Sequence, residues 1–102
     1  MIEDHYIVYY MMYRNKSYVY NDSRTVVGVH NNAVIVEDRI TDHIYVIYFE
    51  NQQKALQTAE LIATLIQLDI PVDKAINKIA EIEKMIIEEI ERTFLIFKEK
   101  PP

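Results

Sequence analysis

Asp4-His5-Tyr6-Ile7-Val8-Tyr9-Tyr10-Met11 is echoed further along the chain by Asp42-His43-Ile44-Tyr45-Val46-Ile47-Tyr48-Phe49. Asp, His, Val and the last Tyr match in register, and each remaining pair exchanges one large apolar or aromatic residue for another. Runs so rich in β-branched and aromatic side chains read as strands. Two strands that begin alike predict two related motifs within one small domain. The seam between such motifs is a natural groove.

Working outward, the whole first half reads as strands. Residues 5–13 are apolar and aromatic, and the polar cluster Arg14-Asn15-Lys16-Ser17 ends them. Tyr18-Val19-Tyr20 follows, then Asn21-Asp22-Ser23 as a turn. The clearest local signal is Thr25-Val26-Val27-Gly28-Val29-His30, Asn31-Asn32, Ala33-Val34-Ile35-Val36-Glu37. Asn tolerates positive φ, so Asn31-Asn32 predicts a two-residue type I′ turn between β-branched arms. In that register Val29 faces Val34, Val27 faces Val36, and Gly28 lies opposite Ile35 as a bulge or a point of close backbone approach. Asp38 to Asp42 make a polar turn, and residues 43–49 form the fifth strand of an antiparallel meander.

The second half reads as two helices, at about 51–69 and 73–97. Asn51 caps the first, with Ala55, Ala59, Ile62 and Ile66 on one face, and Pro71 prevents its continuation. Asp73 caps the second, whose stripe is Ile76, Ile79, Ile86, Ile90, Phe94 and Phe97. Residues 93–97 are apolar all round and are read as a helical end in preference to a sixth strand.

This arrangement implies a shortage of cover. Five strands at about 4.8 Å spacing make a sheet roughly 24 Å wide. Two helices, each about 10 Å across, cover roughly one of its faces. Yet residues 5–13 and 43–49 are apolar on both faces, where a one-sided sheet has a polar outer side. Three arrangements resolve the mismatch: helices on opposite faces, a sheet that curls over itself, or a partner on the second face. Tyr and Met suit the third, because Tyr buries area while keeping a polar tip and Met repacks around varied surfaces.

Composition excludes much else. Without cysteine there is no disulfide framework, thiolate nucleophile or Cys-type zinc site. A net charge of −5 argues against a nucleic-acid binder that works by neutralising phosphates. Glu3 and Asp4 stand where a secretory signal is basic, and no run approaches the roughly 18 apolar residues that span a bilayer. A soluble intracellular protein is expected. Asp4-His5, His30, Glu37, Asp38 and Asp42-His43 are the residues a catalyst or metal would use. Neighbours on a strand point to opposite faces, so neither Asp-His dipeptide pairs internally. The His-x-x-x-His spacing, a glycine-rich phosphate loop and the Gly-x-Ser-x-Gly elbow are all missing. No enzyme, cofactor or metal is expected.

The chain has a single glycine, sixteen isoleucines, eight tyrosines and a mixed Glu/Lys surface. This style, the 102-residue length and the strands-then-helices order resemble the small orphan proteins of filamentous viruses that infect Acidianus, a hyperthermophilic archaeon. The likeness runs from Met1-Ile2-Glu3-Asp4-His5-Tyr6 to Lys98-Glu99-Lys100-Pro101-Pro102 and rests on no catalytic motif. It implies a viral protein made in the cytoplasm of the infected host cell, built from two similar motifs and lacking an assigned enzymatic activity. It carries no site residues across.

The expectation is therefore an α+β domain over residues 1–102, an antiparallel sheet of about five strands packed by two C-terminal helices. Its expected role is a non-enzymatic protein–protein interaction module that takes an extended peptide or partner surface into the groove between the two motifs. The expected contacts are Tyr6, Tyr10, Met12, Tyr45 and Tyr48, with Gly28 as a close-approach point. The alternatives are a homodimer closed by the surplus apolar surface, and a single-stranded nucleic-acid binder that stacks bases on exposed tyrosines.

Overall fold

The chain runs α1 (Ile2–Asn15), β1 (Tyr18–Asn21), β2 (Thr25–His30), β3 (Ala33–Asp38), β4 (His43–Tyr48), α2 (Gln52–Gln67), α3 (Val72–Glu83) and β5 (Ile87–Glu91). This computed structural model describes the backbone of residues 2–83 and 87–91, and the side chains of residues 7–82. The fold is α+β, and its strands pair antiparallel in the order β1-β2-β3-β4-β5.

The central hairpin forms in the register its β-branched arms dictate. Val29 pairs with Val34, Gly28 with Ile35 and Val27 with Val36. Its turn differs from type I′, because Asn31 alone takes a positive φ, at 53°. Asn32 is held by the end of the next strand: its side-chain amide donates to the Phe49 carbonyl at 2.7 Å, and the Phe49 N–H donates to the Asn32 carbonyl at 2.9 Å. Every residue of β3 is buried, as befits a strand with neighbours on both edges and cover on both faces.

Residues 5–13 are not a strand. They lie within α1, so the first half contributes four strands in place of five. An unbroken apolar run satisfies a period of 2 and a period of 3.6 equally, and tertiary packing decides between them. As a helix the run turns Val8, Tyr9, Met12 and Tyr13 towards the sheet. The helix ends in a Schellman motif. Lys16 adopts φ 54°, its N–H donates to the Tyr13 carbonyl at 3.3 Å, and the Ser17 N–H reaches the Met12 carbonyl at 3.1 Å. The echo between residues 4–11 and 42–49 therefore falls on a helix and a strand. It does not mark a structural repeat.

The second half departs at its end. The Asn51 side chain caps α2 by accepting from the Lys54 N–H at 2.8 Å. Asp69, at φ 66°, closes α2 with a second Schellman motif: the Asp69 N–H donates to Ile66 and the Ile70 N–H to Leu65. Pro71 then opens α3, its carbonyl accepting from the Ala75 N–H at 2.9 Å, and Asp73 lies in the first turn instead of at the cap. α3 stops at Glu83, and residues 87–91 pair with β4 from Ile87 opposite Ile47 to Glu91 opposite His43. Ile-Glu-Glu-Ile-Glu suits either period. The apolar edge of β4 selects the strand, since an uncovered edge leaves its N–H and C=O groups unpaired. Residues 93–97 lie outside the described residues.

Cover for the sheet comes from both sides. On one face Val27, Val29, Val34, Val36, Tyr45 and Ile47 pack with Ala55, Ala59 and Ile62 of α2 and Val72, Ile76 and Ile79 of α3. On the other, Val26, Ala33, Ile35, Ile44 and Val46 form a second core with Met12 of α1. Of the three ways to resolve the shortage of cover, helices on opposite faces is the one the chain uses. A partner is not needed to shield the sheet.

Candidate functional site

Gly28 determines how closely α1 can approach. A Cβ at this position would stand 2.7 Å from Met12 Cγ and 2.8 Å from the Ser17 carbonyl oxygen. The missing side chain is thus the socket that receives Met12, which is fully buried. A bulge lies directly across from it, since Tyr18 pairs with Gly28 but Tyr20 with Val27, leaving Val19 as the extra residue. Gly28 itself keeps regular register with β3, so of its two readings close approach holds and the bulge falls on the neighbouring strand.

A polar clamp secures the C-terminal end of the helix. The Tyr13 hydroxyl donates to Glu37 Oε1, and Glu37 is 1% exposed. The Arg39 guanidinium lies 3.5 Å from the same carboxylate oxygen, reaches the Tyr13 hydroxyl at 3.5 Å and donates to the Asp22 carbonyl at 2.8 Å. Burial, followed by the hydrogen bond to Glu37, pushes the Tyr13 phenol far above its ordinary range. The phenol acts here as the donor that ties α1 to the Glu37 carboxylate of β3. The rings of Tyr9 and Tyr18 stand edge-on to Tyr13 at 4.9 and 5.5 Å and shield the cluster. The chemistry of this group is anchorage, with a buried charge held by a cation and a hydroxyl.

The six expected contact residues do not assemble into one surface. Met12 and Gly28 are buried where α1 meets the sheet, and Tyr45 is 5% exposed in the core beneath α2 and α3. None of these three is available to a partner, because the helices cover both faces. Tyr48 packs, half-buried, at the margin of the α1 core. Tyr6 belongs to α1, and its side chain lies outside the described residues. Tyr10 alone combines partial exposure with a place on the outward side of α1. A strand would have put Tyr6, Tyr10 and Met12 on one face; a helix rotates Met12 inward and Tyr10 outward.

The tyrosines expected to stack bases are similarly committed. Of that set (Tyr6, Tyr10, Tyr18, Tyr20, Tyr45 and Tyr48), Tyr18 and Tyr48 pack against the α1 core, Tyr45 lies in the other core and Tyr20 packs against it. The Tyr20 hydroxyl also donates to Asp22, whose carboxyl is held below its usual range by that bond. Asp42 sits at φ 66° in the turn before β4, its N–H donating to the Asp38 carbonyl at 2.9 Å, and the His43 ring lies 6.3 Å from that of Tyr45. Among the described residues no three His, Cys, Asp or Glu side chains are grouped to hold a metal ion.

What the helical reading exposes is a second stripe on α1. Ile7 is 57% exposed, Tyr10 and Met11 are partly exposed, and Arg14 is exposed. These residues stand at i, i+3, i+4 and i+7, opposite the line of Val8 and Met12 that meets the sheet. Of the other exposed large hydrophobics among the described residues, Ile40 lies in a turn, Ile82 near the end of α3 and Leu56 on α2, while Leu61 on α2 and Leu68 at its C-cap stand seven residues apart with half-buried Leu65 between them. Ile7 and Arg14 were legible as site residues only through the spacing of 7, 10, 11 and 14, which has meaning on a helix and none on a strand.

Among the described residues no helix is long and apolar enough to cross a membrane. Comparison of the chain with protein-family models, with curated proteins and with solved structures finds no match.

Proposed function

We propose that this protein is a non-enzymatic protein-interaction module whose contact surface is the outward stripe of α1: Ile7, Tyr10, Met11 and Arg14. The observation that carries this reading is the exposure of Ile7 within the unbroken apolar and aromatic run Tyr6 to Tyr13 of α1. A helix of that kind is ordinarily buried on every side. The sheet accounts for one side of α1, and a partner accounts for the other. The surplus of apolar surface that the sequence implies is thus moved from the sheet to the back of the helix that covers it.

Recognition of this kind lays a helix into a complementary apolar surface, with anchors at i, i+3, i+4 and i+7. Tyr10 and Met11 suit it, as an amphipathic ring and a flexible thioether beside a branched anchor. Within the resemblance to viral proteins, the module works inside the infected cell on a viral or host protein. The acidic chain and the packed tyrosines favour a protein partner over a nucleic acid.

The test is a photo-reactive benzoylphenylalanine placed at position 7 in the cells that naturally make the protein. Position 78 on α3, where Lys78 is exposed, serves as the control. Discrete protein adducts at position 7 and none at position 78 are expected. Equal labelling at the two positions contradicts the reading.

A further inference from the structure

We infer that α1 is a releasable cover: it lifts from the sheet as a unit about Lys16 and bares the face beneath it while the opposite core stays closed. The inference is independent of what binds the outward stripe.

Its first ground is that the two cores have no side chain in common. Neighbouring residues of a strand point to opposite faces, so Val26 lies in the core under α1 and Val27 in the core under α2 and α3. The same alternation separates Ile35 from Val36 on β3. Lifting α1 therefore bares Val26, Ala33, Ile35, Ile44 and Val46 and leaves the other core packed.

The second ground is the uneven hold on the two sides. Met12 is the one fully buried side chain of α1 among the described residues, whereas Val8, Tyr9 and Tyr13 are partly buried and Ile7 is 57% exposed. On the far side Ala55, Ala59, Ile62, Val72, Ile76 and Ile79 are all buried. A unit with few buried apolar contacts opens at lower free energy than the molecule as a whole.

The third ground is that fasteners and hinge sit together at the end of the helix. Met12 enters the Gly28 socket, and Tyr13 donates to Glu37 beside Arg39. The Ser17 peptide joins helix to sheet, its N–H donating to the Met12 carbonyl and its carbonyl accepting from the Val29 N–H at 3.0 Å. Between these lies Lys16 at φ 54°, a region unfavourable for a residue with a Cβ. Rotating Lys16 to an ordinary φ relieves that strain and swings the helix away, with Ser17 still held on β2. The hinge favours opening and the fasteners oppose it.

The chain has no cysteine, so a single one introduced reports its own exposure. Val26→Cys and Val27→Cys place it at adjacent, fully buried positions of one strand, the first facing α1 and the second facing α2 and α3. The experiment is the rate at which each full-length variant is labelled by excess dithionitrobenzoate under native conditions, with far-UV circular dichroism as the folding control. Position 26 is expected to label roughly tenfold faster than position 27, or more. Adding Ile76→Val, which loosens the far core, is expected to speed position 27 severalfold and leave position 26 unchanged. Adding Tyr13→Phe, or Gly28→Ala where Tyr13→Phe does not fold, is expected to speed position 26 about fivefold or more. Equal rates at the two positions overturn the inference, as does Ile76→Val speeding both alike. A rate at position 26 indifferent to the changes at Tyr13 and Gly28 overturns it too.

Discussion

Met12 occupies the space that a side chain at position 28 would fill, so the two residues are one structural decision. A Gly28→Ala change sets a methyl against the Met12 side chain, which can yield, and against the Ser17 carbonyl, which is backbone and yields less. Overpacking of this kind costs about 1–3 kcal/mol, and urea denaturation is expected to show a loss in that range. Tyr13 makes a parallel case at the other end of the contact. Tyr13→Phe removes the hydroxyl that donates to buried Glu37 and leaves Arg39 at 3.5 Å as the carboxylate's neighbour. A destabilisation of about 2 kcal/mol is expected, because a buried charged acceptor loses a donor. Denaturation midpoints compared with Tyr9→Phe, which spares the Glu37 bond, would isolate that effect.

At the scale of elements, local signals were legible wherever a side chain acts on its own backbone. Asn51 caps α2 and the Asn31-Asn32 turn pairs its strands in the expected register, because capping and turn chemistry are decided within a few residues. Helix α1 was not legible in that way. Tyr6 to Tyr13 carry no polar residue to break the tie between two periods, and the neighbouring sheet chose the helix by offering a face that needed cover. β5 was hidden for a related reason: Ile87-Glu88-Glu89-Ile90-Glu91 looks amphipathic as a helix until the open edge of β4 is known. With α1 misread, Tyr10 is, among the expected contacts whose side chains are described, the one left on the outward side of the helix, and Ile7 and Arg14 went unnoticed beside it. The end of α1 also yields a prediction. Lys16 stands in the left-handed region, where a Cβ costs about 1 kcal/mol or more and glycine does not. Lys16→Gly is expected to raise the thermal midpoint by a few degrees, corresponding to about 1 kcal/mol, in calorimetry.

Taken whole, the molecule is a sheet between helices of unequal extent. Two helices shield one face with a conventional core, and a single helix shields the other through a methionine in a glycine socket and a tyrosine on a buried carboxylate. That single helix is apolar on the side it turns away, and the account of function depends on this double role. The most direct test is a nuclear Overhauser spectrum of the isotope-labelled chain, read for contacts between the Met12 side chain and the Gly28 α-protons. Strong Met12–Gly28 cross-peaks, with helical sequential contacts through residues 7–14 and none from Ile7 to the sheet, are the predicted result. Strand-type contacts through residues 5–13, or Ile7 packed against β2 and β3 in place of Met12, would contradict it.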